Sequence, residues 1–179
     1  QMIRQIIRMG HPTLREVTEP YPLEKIGSKE FHELVEDMRE TLHEAGGIGL
    51  AAPQIDVLYR LAVIEIKNTE SRYGEIPLTP FATYVNPEIT VLGDDTAGIW
   101  EGCLSIPNLM GYVERPQHIR VDWTNEKGES KSMEATGLLA TVFQHEFDHL
   151  NGKLYIDRIT NTTKIAFEDE FLAYHLPSE

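Results

Sequence analysis

The segment 144–150 combines residue types and a spacing that can build a catalytic metal site. It reads Gln-His-Glu-Phe-Asp-His-Leu, so His145 and His149 stand four positions apart. On a helix, such residues share one face with Cβ atoms about 5–6 Å apart, and both imidazoles can bind one metal ion. Glu146, between them, could then act as a base on a water at that ion. Asp148 either orients a ligand or pairs with a basic group, or it is an exposed charge.

A catalytic metal needs a third protein ligand and an open coordination position. The metzincin pattern would place a histidine where Tyr155 stands, which disfavours that class. Glu168 and Glu170, 19 and 21 residues after the second histidine, have the spacing of a gluzincin ligand. Cys103, 42 residues before the first histidine, is the other candidate, although a lone cysteine is usually a buried and inert thiol. The residue spacing leaves Cys103 and the two glutamates open.

The elements that must position these residues are indicated by the apolar pattern. Helices are predicted over Lys29–Ala45, Gly137–Leu150 and Thr163–His175. Ser28 is suited to cap the first helix, Gly46 to end it, and Pro177 to stop the third. Strands are predicted at Leu58–Ile66, Thr83–Asn86, Glu88–Leu92, Ile119–Thr124 and Ser130–Thr136. The polar stretch Asn68–Pro80 is typical of a surface insertion.

Helices and strands do not alternate regularly, which favours an α+β fold over a doubly wound sheet. We predict antiparallel or mixed sheets packed around a central helix that contains the His-Glu-x-x-His motif, with an N-terminal and a C-terminal helix. The chain shows no internal repeat, no low-complexity tract and no linker. Residues 1–179 are therefore expected to form a single catalytic domain.

Composition excludes several classes of protein. The 179 residues are 41% hydrophobic and 25% charged, with a formal net charge of −13. So acidic a chain has no overall attraction to nucleic acid or to an anionic membrane. Its apolar runs are too short to span a bilayer. The single cysteine cannot form an internal disulfide, and we expect a cytoplasmic protein with no stable nucleic-acid or membrane partner.

Three segments, in this order along the chain, resemble the motifs of the peptide deformylase family. They are Gly-Ile-Gly-Leu-Ala-Ala-Pro-Gln at 47–54, Glu-Gly-Cys-Leu-Ser at 101–105, and Gln-His-Glu-Phe-Asp-His-Leu at 144–150. The resemblance extends through residues 111–116 and the pair Asn86-Pro87, and it covers most of the chain. Two departures stand out. Asp56 replaces a common glycine, and Asn108-Leu109-Met110 replaces a loop in which some members place arginine.

The resemblance implies a role for each matching residue. The implied metal ligands are Cys103, His145 and His149. The implied catalytic groups are Glu146 as general acid and base, with Gln54 and the Leu104 N–H as donors to a developing oxyanion. The implied substrate-binding residues are Ile48, Gly49, Glu101 and Gly102 along an extended peptide, and Leu138 and Val142 around a methionine side chain.

The implied activity is removal of the N-formyl group from the formylmethionine of newly made polypeptides. The resemblance suggests one divalent metal ion, natively Fe(II), with Zn(II), Ni(II) or Co(II) as substitutes. N-formylmethionyl nascent peptides would be the partners, with at most transient ribosome proximity. Two rivals stay open. One is a gluzincin-like peptidase that uses Glu168 or Glu170, and the other is a metal-binding module without turnover.

Overall fold

The structure is a computed structural model that describes residues 2–68, 70–71 and 74–176. Pro177, predicted to stop the third helix, lies outside this part of the chain, as do three residues of the Asn68–Pro80 segment. The α-helices are α1 (Lys29–Ala45), α2 (Gly137–Asp148) and α3 (Glu168–Tyr174). The strands are β1 (Gly49–Ala51), β2 (Leu61–Ile66), β3 (Glu70–Ser71), β4 (Gly74–Glu75), β5 (Thr79–Val91), β6 (Thr96–Cys103), β7 (Ile106–Pro116), β8 (His118–Thr124), β9 (Ser130–Thr136) and β10 (Ile165–Phe167).

A five-stranded antiparallel sheet, in the order β1-β2-β5-β8-β9, has a helix on each face. Successive side chains of a strand point to opposite faces. Ala62 and Ile64 of β2 belong to the apolar cluster that contains the α2 side chains. Leu61 and Val63 belong to the cluster that contains the α1 side chains. The continuous apolar sequence of β2 is thus explained by burial on both faces.

Helix α1 begins and ends at the residues that the sequence predicts. Ser28 Oγ accepts a hydrogen bond from the Phe31 N–H at 3.2 Å, which satisfies one of the free donors of the first turn. Gly46 ends the helix in the left-handed conformation, with φ +72°. Phe31, Met38 and Leu42 on its inner face are fully buried. The predicted helix is confirmed as a core element.

A second, three-stranded antiparallel sheet has the order β10-β7-β6. Cys103 pairs with Ile106, so Leu104 and Ser105 form the turn between β6 and β7. Apolar alternation predicts no strand here, because Gly98 and Pro107 interrupt it. Helix α2 contacts both this sheet and the large one. The predicted α+β fold, with sheets packed around the helix that contains the motif, is confirmed.

Two predicted elements differ from the structure. The expected helix from Thr163 begins only at Glu168, because residues 165–167 pair with β7 as strand β10 instead. Sheet pairing overrides the helical spacing there. The two strands predicted on either side of Pro87 are one strand, β5, whose pairing with β8 is irregular between Val85 and Glu88. Asn86 absorbs that irregularity with φ +50°.

The insertion predicted from residue 68 to 80 contains the short paired strands β3 and β4. Ile76, which follows them, is buried in the cluster under the large sheet. Within the described residues, none of the helices combines the length and apolarity that crossing a bilayer requires.

Candidate metal centre

Three side chains that lie far apart in sequence converge at the junction of the two sheets. Cys103 ends β6, His145 lies in the last turn of α2, and His149 directly follows that helix. One ligand atom of each lies within 4.8 Å of the others, and Cys103 Sγ is 3.5 Å from His149 Nε2. Among the described residues, no other group of His, Cys, Asp or Glu has this arrangement, and neither Glu168 nor Glu170 is part of it.

The convergent atoms fit a transition-metal ion. In a tetrahedral site with ordinary zinc bond lengths, a sulfur and a nitrogen ligand lie about 3.5 Å apart. The distance between Cys103 Sγ and His149 Nε2 agrees with that value. Imidazole and thiolate donors suit Fe(II), Co(II), Ni(II) or Zn(II) rather than Mg²⁺ or Ca²⁺. The geometry therefore favours Cys103 over the two glutamates as the third ligand.

The electrostatics of the cluster prepare the thiol to bind a cation. Burial raises the pKa of Cys103, but the charges and hydrogen bonds of His149 and His145 outweigh it and lower the pKa to about 5. Burial lowers the pKa of His145, yet its hydrogen bonds to Cys103 and Glu101 hold that pKa well above 6.5. A bound metal cation would displace the imidazole protons. Its positive charge would then stabilise the thiolate in their place.

A chain of ion pairs orients the first histidine. His145 Nδ1 donates to Glu101 Oε1 at 2.8 Å, which leaves Nε2 to face the thiolate. Arg115 donates to both oxygens of Glu101, at 2.7 and 3.1 Å, and to Asp148 Oδ2 at 3.0 Å. Arg158 donates to Asp148 as well. Asp148 therefore pairs with basic groups, one of the three possibilities that the sequence left open.

Glu101 is 3% exposed, and its carboxylate is hydrogen-bonded to His145 and Arg115. These contacts give Glu101 a role in positioning His145, and its predicted contact with substrate stays a prediction. Arg115, on β7, was not identified from the sequence. A single arginine carries no spacing signal, and its contact with Glu101 depends on how β6 and β7 pair.

Glu146 lies beside the three candidate ligands, and its carboxylate is only partly hydrogen-bonded. It is buried, and Oε1 has no hydrogen-bond partner among the described residues. Burial raises its pKa, although the nearby charges of His145 and His149 oppose that effect. Strand β1 passes so close that a Cβ at Gly49 would lie 2.6 Å from Glu146 Cδ. A side chain at position 49 would displace the Glu146 carboxylate, so this position requires glycine.

Gln54 is held with its amide nitrogen toward the thiol. The Ala51 N–H donates to Gln54 Oε1 at 2.9 Å, and Gln54 Nε2 donates to Ser105 Oγ at 3.1 Å. The same nitrogen is 3.7 Å from Cys103 Sγ. Ser105 is fully buried and fixes this orientation, a role that its place in the sequence motif did not reveal. Leu104 follows Cys103 directly in the turn, so its N–H lies next to the thiol along the chain.

The cluster opens into a cleft of about 670 Å³. The predicted site residues in its wall are Ile48, Gly49, Gln54, Gly102, Cys103, Leu104, His145 and Glu146. A smaller pocket adjoins it and contains the other predicted substrate-binding residues, Glu101, Leu138 and Val142. Ile99 and Thr141 complete that pocket and were not predicted. The structure thus brings the predicted site residues to one place.

Both departures from the family pattern fall at left-handed backbone positions. Asp56 has φ +65°, and Thr13 Oγ1 donates to its carboxylate at 2.5 Å. The aspartate therefore occupies the turn that glycine would form. Asn108, in the wall of the cleft, has φ +66°.

Comparison with known proteins agrees with this site. The family model described as polypeptide deformylase matches residues 3–164. A protein of Leptospira biflexa named peptide deformylase is 42% identical over 168 residues, 94% of each chain. Peptide deformylase 1 of Xanthomonas campestris pv. campestris is 45% identical over 175 residues, 98% of this chain and 100% of that one.

A solved structure extends the similarity to the fold. The class I type b peptide deformylase from Acinetobacter baumannii, in its Met-Ala-Ser-bound crystal structure, is 31% identical, with a TM-score of 0.83. The match covers 88% of this chain and 98% of that one. The family model, the relatives and the fold agree with the motifs and with the convergence of a thiol, two imidazoles and a buried carboxylate. The chain belongs to the polypeptide deformylase family.

Proposed function

We propose that Cys103, His145 and His149 bind one divalent metal ion, with which the chain removes the N-formyl group from formylmethionine at the start of new polypeptides. The observation that supports this assignment is the cluster itself. Three ligand atoms lie within 4.8 Å of one another, beside a buried carboxylate oxygen without a partner among the described residues. A hydrolase needs both the ligands and such a base.

The family is metal-dependent, and Fe(II) is the native ion that we propose, with Zn(II), Ni(II) or Co(II) as substitutes. When bound, the ion supplies Lewis acidity and lowers the pKa of water toward about 7. The single thiolate among the donors makes the site softer than one built from two histidines and a carboxylate. It also makes the site sensitive to oxidation.

The side chains around the cluster supply the proton transfers and the oxyanion contacts. Glu146 accepts the proton of the attacking water and delivers it to the amine that leaves as the C–N bond breaks. Gln54 Nε2 and the Leu104 N–H donate to the oxygen that becomes negative during attack on the formyl carbon. The products are formate and a free methionyl amine, so all atoms of water and formamide are accounted for.

The substrate peptide binds as an extended strand along the cleft. Strand β1 is an edge of the large sheet, so its outer side can add a further strand. We propose that Ile48 and Gly49 pair with the peptide main chain there, opposite Gly102. Leu138 and Val142 then receive the methionine side chain in the adjoining pocket. Glu101, which lines the same pocket, positions His145.

The two rivals lack support in the geometry. Glu168 and Glu170 are absent from the cluster of candidate ligands found among the described residues, so a gluzincin site is not favoured. A metal-binding module without turnover would not need Glu146 and Gln54, yet both line the cleft beside the candidate ligands.

Formate release from formyl-Met-Ala-Ser tests the assignment, with protein loaded anaerobically with iron, nickel or cobalt. We expect turnover by the unaltered chain. Glu146→Gln should lower kcat by a factor of about 10²–10⁴ because the general base is lost, while metal binding persists. Cys103→Ala should abolish tight metal binding and activity together. A gluzincin site would keep both in this variant, because it does not use the cysteine.

Glu134→Gln is a matched control, since Glu134 also hydrogen-bonds a histidine, His118, but on the exposed surface. This variant should keep full activity. If the metal-loaded, unaltered chain released no formate, the assignment would be wrong.

We also propose a cytoplasmic location and only transient ribosome proximity. Formylated nascent peptides emerge from ribosomes, but a chain with net charge −13 is repelled by RNA phosphates overall. If the protein stayed bound to ribosomes, and more of it did so as the salt concentration was lowered, the proposal of transient contact would be wrong.

A further inference from the structure

The N-terminal segment (residues 2–9) is bonded at its start to helix α1 and at its end to the candidate site. Its residues are not among those that line the cleft or the smaller pocket. The segment therefore reaches the site from outside the cleft, and it does so through hydrogen bonds of its main chain.

Asp37 and Thr41, one turn apart on α1, hold the start of this segment. Both are buried, at 5% and 2% exposed. The Met2 N–H donates to Asp37 Oδ1 at 2.8 Å, and the Arg4 N–H donates to Thr41 Oγ1 at 2.8 Å. The Arg4 guanidinium also contacts Asp37 Oδ2, with Nε at 2.9 Å and Nη2 at 2.8 Å. Asp37 thus combines a main-chain hydrogen bond with an ion pair.

The end of the segment is bonded to the two residues whose side chains meet beside Cys103. The Ile7 N–H donates to the Gln54 carbonyl oxygen at 2.9 Å, and the Met9 N–H donates to the Ser105 carbonyl oxygen at 2.8 Å. The two side chains are themselves joined, because Gln54 Nε2 donates to Ser105 Oγ at 3.1 Å. These contacts form a closed ring that links both main chains and both side chains.

This ring spans two different sheets. Gln54 lies in the turn at 52–55 that follows β1 of the large sheet, whereas Leu104 and Ser105 form the turn between β6 and β7 of the small one. The two proposed oxyanion donors, Gln54 Nε2 and the Leu104 N–H, therefore depend on how these turns lie relative to each other. Such donors act only when they are held in place, and a misplacement of about 1 Å can cost about 10²-fold in rate.

We propose that Asp37 is a positioning residue that, through the N-terminal segment, keeps the turns of Gln54 and Leu104 in place for the developing oxyanion. The inference rests on the proposed function, since it assumes that both donors bind the formyl oxygen. Within the described chain, the main-chain bonds of the segment reach Gln54 and Ser105 rather than the three candidate metal ligands. Release of the segment is therefore expected to slow the chemical step and leave metal binding intact.

Steady-state formate release from formyl-Met-Ala-Ser by metal-loaded protein tests this role. Asp37→Ala removes both the acceptor of the Met2 N–H and the partner of Arg4. We expect kcat to fall about tenfold, less than the roughly 10²–10³ that loss of an oxyanion donor costs. KM and the Kd for nickel should change by less than about twofold, because the lost interaction forms only in the transition state.

Two further measurements separate positioning from a general loss of stability. Amide hydrogen exchange at Ile7 and Met9 should become faster in Asp37→Ala, since these bonds then open more often. In a Gln54→Ala background, Asp37→Ala should lower kcat by less than about threefold, because one of the donors that it positions is already gone. An effect of stability alone would be the same in both backgrounds.

Ser28→Ala is the matched control, because it removes the cap of the same helix without touching the N-terminal segment. It should lower stability but keep kcat within about twofold. Arg4→Gln is a milder second variant that removes the ion pair and keeps the Met2 bond, and it should lower kcat by about two- to fivefold. If Asp37→Ala fails to fold, Arg4→Gln decides.

The outcomes separate the two proposals. An unchanged kcat in the folded variants, or the same loss with and without Gln54, would overturn the role of Asp37 while leaving deformylation intact. No formate from the unaltered, metal-loaded chain would instead overturn the proposed function, and this inference with it.

Discussion

The Cys103 thiol has a chemistry that its neighbours set. It is the only cysteine of the chain, and it lies 3.5 Å from His149 Nε2 and 3.7 Å from Gln54 Nε2. A buried thiol among apolar groups would have a raised pKa and little reactivity. Here the imidazoles reverse that tendency, so the sulfur is an anion at neutral pH.

We predict that iodoacetamide alkylates Cys103 of the metal-free protein with a midpoint near pH 5. Burial raises the thiol pKa, but His149 and His145 bring it to about 5, and the thiolate is the nucleophile. The rate should therefore rise through that pH and be level at neutrality. Mass spectrometry after timed labelling at each pH measures it.

Two controls accompany this experiment. Cys103→Ala should take no label, and bound Zn(II) should protect the thiol. His149→Gln should move the midpoint upward, since it removes the stronger of the two imidazole charges. A midpoint near 8.5, the value of a free cysteine, would contradict the imidazole effect.

Two glycines end helices in the left-handed conformation, but in different surroundings. Gly46, after α1, has φ +72° and nothing within 4 Å of an added Cβ. Gly152, which ends the turn after α2, has φ +71°, and its Cβ would lie 2.6 Å from the Arg15 carbonyl oxygen. The second position therefore combines backbone strain with a steric clash against rigid main chain.

We predict that Gly46→Ala lowers the free energy of unfolding by about 1–2 kcal/mol, the cost of the left-handed conformation for a residue with a Cβ. Gly152→Ala should cost about 1–3 kcal/mol more, because the Arg15 backbone must move. Urea unfolding with an unchanged m-value measures both. Equal losses for the two variants would show that the clash is relieved without cost.

Helices were predictable where the local pattern agreed with the tertiary contacts. In α1 a cap, an apolar stripe and a stop signal coincide, and its bounds were predicted correctly. Strands β6 and β7 were not predicted, because glycines and a proline interrupt their alternation. The pairing of β10 with β7 was also hidden, since it joins residues more than 50 positions apart and no local signal marks it.

The ligands could be proposed from motifs, but their supports could not. His145 and His149 share a helical spacing, and Cys103 was selected among open alternatives only by family resemblance. Arg115 and Ser105 fix Glu101 and Gln54 through contacts that depend on strand pairing and turn geometry. Both residues lie in segments that resemble the family, but their roles could not be assigned because the contacts form only in the folded chain.

At the scale of the whole molecule, the three candidate metal ligands lie where the two sheets meet. Cys103 belongs to the small sheet, whereas α2 packs against the large one. A cation bound by all three ligands would therefore add a further link between the small sheet and α2, which the His145–Glu101 and Arg115–Asp148 pairs already join. The single domain predicted for residues 1–179 stays a prediction.

We predict that removing the metal lowers the melting temperature by about 5–10 °C. At metal concentrations 100-fold above Kd, binding stabilises the native state by about 2.7 kcal/mol, and 1 kcal/mol is about 2–4 °C for a chain of this size. Differential scanning calorimetry with and without added nickel measures the difference. Cys103→Ala is the control, and a shift that persists in this variant would mean that the metal acts elsewhere.

The distance along the chain between the sulfur and the imidazoles has a consequence during biosynthesis. Cys103 is translated 42 residues before His145. At about 5–20 residues per second, the thiol exists for about 2–8 s before His145 is made. During that interval the sulfur lacks both imidazoles, so the three-ligand site can bind a cation only after the helix that contains His145 has been made.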